Sequence, residues 1–279
     1  MKDEEIKKAV REGYAKTARR NRSCCGPVNP CCESTDEAQD IGKKLGYTEG
    51  ELTEVPEGAN LGLGCGNPIA LASLRAGETV LDLGSGAGFD CFIAANKVGP
   101  NGRVIGVDMT PEMIDRARES ARRGNYENVE FRLGEIEHLP VADNSADVVI
   151  SNCVINLVPD KKMVFREAFR ALKPGGRLII SDIVLLRELP DCIQSSVEAY
   201  VGCISGAMMR DEYLSAIKAA GFQEVRVIDE KSFPIELLSN DPTAMEFIER
   251  LKVPVETLKE LASSVVSISV YALKPNETT

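Results

Sequence analysis

Histidine is almost missing from this chain of 279 residues: there is one, His138. A chemistry built on an imidazole base or on histidine metal ligands therefore has a single candidate. That residue lies in the loop segment E-H-L-P, where a structural role is the expectation. No apolar run reaches the ~20 residues of a membrane helix, and the opening MKDEEIKKAVREGYAK has no apolar centre of the signal-peptide kind. A cytoplasmic protein with no membrane partner is expected. Positive charge is in short supply, 33 basic against 43 acidic residues for a formal charge of −10, which repels phosphate backbones and excludes nucleic acid as a partner. The C-x-x-C spacing is also absent, which leaves a zinc knuckle without its ligand pattern. Yet there are nine cysteines, and an odd number scattered along a chain of this length does not make a secreted disulfide framework. Metal, metalloid or redox chemistry fits them better.

Hydrophobic residues make up 43% of the chain, enough for a core, and one stretch organises the pattern. Val80 to Asp90, VLDLGSGAGFD, is an apolar run that breaks into Gly84, Gly86 and Gly88 and resumes as helix. Strand, glycine turn and helix in that order put backbone N–H groups at the carboxyl edge of a parallel sheet, where open α/β sheets hold ligands. A dinucleotide turn wants G-x-G-x-x-G; here the spacing is G-x-G-x-G, with Asp82 just before it, which disfavours NAD. Asp108 closes the next apolar run, RVIGVD, where an acid can accept from ribose hydroxyls. A βαβ unit of any kind also needs glycine in its first turn.

In chain order the periodicities predict a helix over 3–22, a mobile arm SCCGPVNPCCESTDEAQD, short helices over 38–45 and 68–74, a helix over 88–97 and a strand over 103–107. Thr110 is expected to cap a helix with Pro111 in its first turn, ending near Arg122. Strands over 129–133, 147–151 and 177–182 follow, with a helix over 160–172 broken by KPGG. A helix over 211–220 and strands over 224–228 and 265–271 complete the sheet. The stretches 189–209 and 231–263 have no place in it and read as a substrate cap.

The pair D-x-G-x-G-x-G and V-x-G-V-D resembles the class I methyltransferases that use S-adenosylmethionine. That resemblance implies an α/β fold: a Rossmann-like sheet, mostly parallel with the last strand antiparallel, and a C-terminal substrate-binding cap. It divides the chain into a helix and cysteine-rich arm at 1–50, a cofactor-binding domain at 51–186 and a substrate region at 187–279. It also implies cofactor contacts from Asp82, Gly84, Ser85, Gly86, Gly88, Asp108, Met109, Ile136 and Asn152, with Glu135 receiving the adenine amine.

Four cysteines, Cys24, Cys25, Cys31 and Cys32, lie in the arm; Cys91 falls inside a helix and reads as a buried structural thiol. Cys65 in G-C-G-N-P, Cys153 in S-N-C-V-I-N-L and Cys203 in Y-V-G-C-I-S-G-A have small or polar flanks that permit close approach. Those three motifs, in that order, resemble the arsenite methyltransferases over nearly the whole chain from the arm onward. The resemblance implies that Cys65, Cys153 and Cys203 are the family's thiols, the last two an arsenic pair. A further thiol falls among the arm cysteines, of which Cys32 lies nearest to Cys65. Trivalent arsenic is soft and suits thiolates. Three sulfurs leave its lone pair free to attack a sulfonium methyl, and no general base is needed. The substrate would be arsenite or its thiol conjugates, in the service of arsenic detoxification, with a reductant such as thioredoxin or a glutathione-like thiol. Two other readings stay open: a C- or O-methyltransferase of a quinone-like or sterol-like molecule, and a non-catalytic metalloid-binding or redox-sensing protein.

Overall fold

Glu33–Leu45 and Pro111–Arg123 carry their apolar residues on one face, and the strands at 79–83, 103–108 and 146–152 are buried almost end to end. The first pattern needs a surface to lie on and the second a layer on each side, so helices over both faces of a parallel sheet satisfy both. The computed structural model describes residues 3–20, 33–189, 200, 203–232 and 264–276. Its helices are α1 (Asp3–Arg20), α2 (Glu33–Leu45), α3 (Glu49–Glu54), α4 (Pro68–Leu71), α5 (Phe89–Val98), α6 (Pro111–Arg123), α7 (Lys161–Ala171) and α8 (Arg210–Ala219). Its strands are β1 (Thr79–Leu83), β2 (Arg103–Asp108), β3 (Val129–Leu133), β4 (Ala146–Asn152), β5 (Leu172–Leu185), β6 (Gln223–Ser232) and β7 (Val265–Leu273).

These strands form a seven-stranded sheet in the order β3-β2-β1-β4-β5-β7-β6. The first five are parallel, and β7 runs antiparallel to both β5 and β6. The order reverses between β1 and β4, so the carboxyl ends of these two strands frame the crevice that such sheets offer to ligands. One face is covered by α7 and α8, whose Phe165 and Tyr213 rings meet edge to face at 5.3 Å. The other is covered by α2, α4, α5 and α6 around Phe92, Ile114 and Ile150. Each such side chain taken from water contributes about 1.5–3 kcal/mol, which outweighs any local helix preference. Among the described residues no helix is long and apolar enough to cross a membrane.

Several boundaries differ from the sequence expectation, each for a physical reason. The helix expected over 38–45 begins at Glu33, inside the stretch read as the arm, so residues 33–40 of that arm are helical. KPGG does not sit outside the sheet: it opens β5, which runs on to Leu185 because β7 pairs with it over Arg177 to Leu185. β6 likewise reaches Ser232 through two register shifts against β7. The arm cysteines, including Cys32, and Cys192 with most of the expected cap fall outside the described residues.

Candidate functional site

After Leu83 the chain must reverse into α5 within five residues. Gly84 makes this possible at φ +67°, and a Cβ there would stand 2.3 Å from Cγ2 of Val154, so no side chain fits. The N–H groups of Gly84 and Ser85 donate to the carbonyl of Val107 at 2.8 and 3.0 Å, tying the turn to β2. Gly86 differs: a Cβ there would meet nothing within 4 Å, so this part of the turn faces open space. Its N–H donates to Oδ2 of Asp108 at 3.0 Å, and that of Thr110 donates to Oδ1 at 2.8 Å. The Asp108 carboxylate is thereby fixed at the crevice mouth; burial pushes its pKa up and these bonds pull against that shift. The Thr110 hydroxyl also bonds Asp108, which is why the expected side-chain cap of α6 does not form.

Of the residues expected to meet a cofactor, Asp82, Gly84, Ser85, Gly86, Asp108, Met109, Ile136 and Asn152 line one crevice holding about 970 Å³ of empty space, part of it open to solvent. The chemistry suits a nucleoside: Asp108 offers oxygens to vicinal hydroxyls, Met109 and Ile136 offer apolar surface to a base, and the buried Ser85 Oγ has no hydrogen-bond partner in the described structure. Two expected residues are elsewhere. Gly88 starts α5 at φ +92°, where a Cβ would strike Phe131, so it serves packing between helix and strand. Glu135 is turned onto Lys7, whose Nζ lies 2.6 Å from its Oε2. His138 is exposed and uses its backbone N–H on the carbonyl of Glu135.

No partner surface for α1 follows from its sequence, and the structure lays it over this crevice. Val10 and Tyr14 line the crevice from α1, and Ala18 packs on Ala87 and Met113. Lys7 bridges Glu135 and Glu137, the latter at 3.0 Å. Arg116 of α6 donates to the carbonyl of Ala18 at 2.9 Å, and Arg19 pairs with Glu112. The helical spacing of Ile6, Val10 and Tyr14 was visible in the sequence; the identity of what that face covers was not.

Beside the crevice, Cys65, Cys153 and Cys203 share one buried cluster with Leu157, Ile183 and Val265. Cys153 also lines the crevice itself. It follows β4 directly at φ +61°, and Cys203 stands at φ +65°. Two side-chain-bearing residues in the left-handed region each cost of order 1 kcal/mol or more, a strain the surrounding contacts hold in place. Cys65 is clamped from three sides. Its N–H donates to Oδ1 of Asn152 at 3.0 Å, Ser267 Oγ donates to its carbonyl at 2.7 Å, and its own thiol reaches the carbonyl of Ser181 at 3.4 Å. Asn152 spends its amide on the Gly66 carbonyl, on Asp90 and on Tyr47, so it joins the Cys65 loop to the start of α5.

The thiols form a donor chain: the Tyr14 hydroxyl bonds Cys203, Cys203 bonds Cys153, and Cys153 bonds Cys65. Cys203 also reaches the carbonyl of Cys153 at 3.1 Å. Burial pushes the Cys65 thiol up. At Cys153 the bond from Cys203 pulls down, but the bond to Cys65 and burial leave it well above its ordinary value. Donation to Cys153, with burial, does the same to Cys203. All three thiols are therefore shifted toward their protonated form. Asp182 lies against them; burial lifts its carboxyl to about 7. Asp182, Glu137, Lys7 and Tyr14 carry no motif of their own in the sequence; only the fold brings them here. Cys91, read as structural, is buried and donates to Asp82 at 3.1 Å.

The family model described as a methyltransferase domain matches residues 74–221. An arsenite methyltransferase of Halobacterium salinarum is 52% identical over 231 residues, covering 80% of this chain and 59% of that protein. The human arsenite methyltransferase is 33% identical over 237 residues, covering 82% of this chain and 61% of its own length. Among solved structures, an arsenic (III) S-adenosylmethionine methyltransferase from Chlamydomonas reinhardtii superposes with a TM-score of 0.65 at 32% identity, covering 86% of this chain and 75% of that one. The chain thus spans about three-fifths of the length of these two curated relatives.

Proposed function

Because the chain belongs to the methyltransferase-domain family, within the arsenite methyltransferases, we propose that it transfers the methyl group of S-adenosylmethionine to trivalent arsenic held by Cys65, Cys153 and Cys203. The single observation that carries this reading is the convergence of those thiols, from three distant stretches, in one buried cluster whose Cys153 also faces the crevice of Gly86 and Asp108. A carbon or oxygen methylation would leave three converging thiols without a task.

Bound in the crevice, S-adenosylmethionine supplies an activated methyl on a sulfonium. The chain's own residues do the rest. Asp108 would take the ribose hydroxyls, Met109 and Ile136 would flank the base, and Val10 and Tyr14 of α1 line one side of the crevice. The three sulfurs displace the oxygen or thiol ligands of arsenite, the thiol protons leaving with those groups, and hold the arsenic as a pyramid. Its lone pair then points away from the sulfurs. Positioning of this kind can supply about 7–11 kcal/mol of a barrier without any proton transfer in the methylating step. The arm cysteines, Cys32 nearest in sequence, would serve delivery or turnover with an external thiol reductant in a reducing compartment such as the cytoplasm.

Radiolabelled S-adenosylmethionine, arsenite and a thiol, mixed with the protein, should yield labelled methylarsenicals. In Cys153→Ser that label should fall at least about 100-fold while cofactor binding persists. Label appearing only in an organic acceptor, or unchanged transfer in the variant, would overturn the reading.

A further inference from the structure

Trivalent arsenic needs three sulfurs, and the chamber contains a fourth donor. The Sγ atoms of Cys65 and Cys153 and a carboxylate oxygen of Asp182 all lie within 4.8 Å of one another, and every one of these residues is buried. Cys203 joins them through its bond to the Cys153 thiol. Asp182 is fixed from behind: Asn156 Nδ2 at 2.8 Å and the N–H of Ile183 at 2.9 Å both donate to Oδ1, while Oδ2, among the described residues, accepts from the Tyr213 hydroxyl at 3.0 Å. Oδ2 therefore keeps a lone pair. Its orientation is set before any ligand arrives, as oriented ligands in metal centres are.

We propose that Cys65, Cys153, Cys203 and Asp182 form a closed four-donor site for a divalent thiophilic cation, with zinc as its simplest occupant, and that this cation competes with arsenic for the chamber. The donor set is three sulfurs and one oxygen, which suits tetrahedral zinc with bonds of about 2.3 Å to sulfur and about 2.0 Å to oxygen. The ligand atoms of Cys65, Cys153 and Asp182, 4.8 Å apart or less, need to close by only about an ångström to reach those bonds, and Cys203, bonded to the Cys153 thiol, swings in as the fourth donor. Three thiolates and a carboxylate around a dication leave excess negative charge, and the Lys161 ammonium is near enough to feel Asp182 and Cys203. The cation enters as the three thiols lose their protons to solvent; no oxidant or reductant takes part.

The two occupants differ in what they ask of Asp182. Arsenic forms three bonds and keeps its lone pair on the fourth side, so it has no use for the carboxylate. A tetrahedral cation uses it directly. Asp182 thus separates the cation from the substrate, although the sulfurs serve both. The proposal shares those sulfurs with the methylation reading and is measured without it.

The test is equilibrium binding of Zn²⁺ alone to the reduced full-length chain against a chromophoric chelator, in parallel with binding of arsenite. One tight zinc site is expected, and zinc bound there should exclude arsenite but leave S-adenosylmethionine affinity unchanged. Asp182→Asn should weaken zinc roughly tenfold or more and leave arsenite binding within about twofold. Because Asp182 anchors Tyr213 and Asn156, the second measurement needs no variant at that position: zinc-edge X-ray absorption of the wild-type complex should show three sulfur scatterers and one oxygen. The variant with serine at Cys24, Cys25, Cys31 and Cys32 should retain the site. Zinc lost in that arm variant, an all-oxygen or all-sulfur shell, or equal zinc affinity in a folded Asp182→Asn would overturn the proposal. Methylation of arsenite by a protein that fails to bind zinc leaves the functional reading standing, and zinc binding without methylation sinks only that reading.

Discussion

Tyr14 is one side chain with two environments. Its ring lines the crevice and packs in the thiol cluster, and its hydroxyl bonds Cys203, the thiol whose pKa is raised by donation to Cys153. That hydroxyl favours the thiolate of Cys203, so its loss makes the third thiol harder to recruit. In Tyr14→Phe the ring remains, and we expect arsenite capture to slow by roughly tenfold, the worth of about 1.4 kcal/mol from one bond to a charged group. The affinity for S-adenosylmethionine should stay put. Isothermal titration of each ligand separates the two, and a variant that loses cofactor affinity instead would make Tyr14 a crevice residue only. Nothing in the sequence singled Tyr14 out, because an aromatic at helical spacing reads as core. Cys65, Cys153 and Cys203 were legible because each sits in its own motif with small neighbours, whereas Asp182 lay at the end of an ordinary apolar run and needed the pairing of β4 with β5 to bring it beside Cys153.

At the scale of elements, the parallel sheet could be read because β1 and β2 are short apolar runs closed by Gly84 and by the Thr110 that starts α6. Helix starts were legible too: Asp160 was expected at the start of a helix and accepts from the N–H of Met163 at 3.0 Å. Lengths were less legible, since β5 and β6 are extended by pairing with β7 from a remote stretch, and strand propensity near Pro174 argued the other way. α1 is the element whose task was hidden. Its hold on the crevice is largely electrostatic at one end, where Lys7 sits between Glu135 and Glu137, and its pKa is raised by both although burial opposes. Removing that charge leaves two carboxylates facing each other beside the expected adenine site. Lys7→Met should therefore raise the KM for S-adenosylmethionine several-fold and change kcat little, with the defect reduced in high salt, where the repulsion is screened. An unchanged KM at low ionic strength would show that α1 is held by Val10, Tyr14 and Ala18 together with the Arg116 and Arg19 contacts.

The whole molecule gathers buried acids at the carboxyl edge of its sheet, and this sets how its stability and its activity respond to pH. Asp182 is lifted to about 7 and Asp90 to about 6, both by burial, and Asp82 and Asp108 are shifted in the same direction. Such groups ionise near 3.9 when the chain is unfolded. Between about pH 4 and 7 the folded chain therefore binds more protons than the unfolded one, and stability falls as pH rises through that window. Glu51, Glu78, Glu130 and Glu167 are held down by Lys97, Arg177, Arg132 with Arg103, and Arg170; their contribution is complete above the unfolded carboxylate range and is lost only as pH falls below it, so it does not offset the trend. The ligand-free, reduced protein should melt several degrees lower at pH 8 than at pH 5.5, at about 2–4 °C per kcal/mol. Arsenite capture runs the opposite way, because the three raised thiols must give up their protons to bind it. Initial rates of methylation at saturating cofactor should consequently climb from mildly acidic to mildly alkaline buffer while Tm declines over the same range, and the upper limit of useful pH is then set by the fold. Calorimetry and rate measurements on one series of buffers decide it: a Tm that rises toward pH 8 would mean that these acids are already ionised in the folded chain, and a flat rate would mean that thiol ionisation does not limit capture.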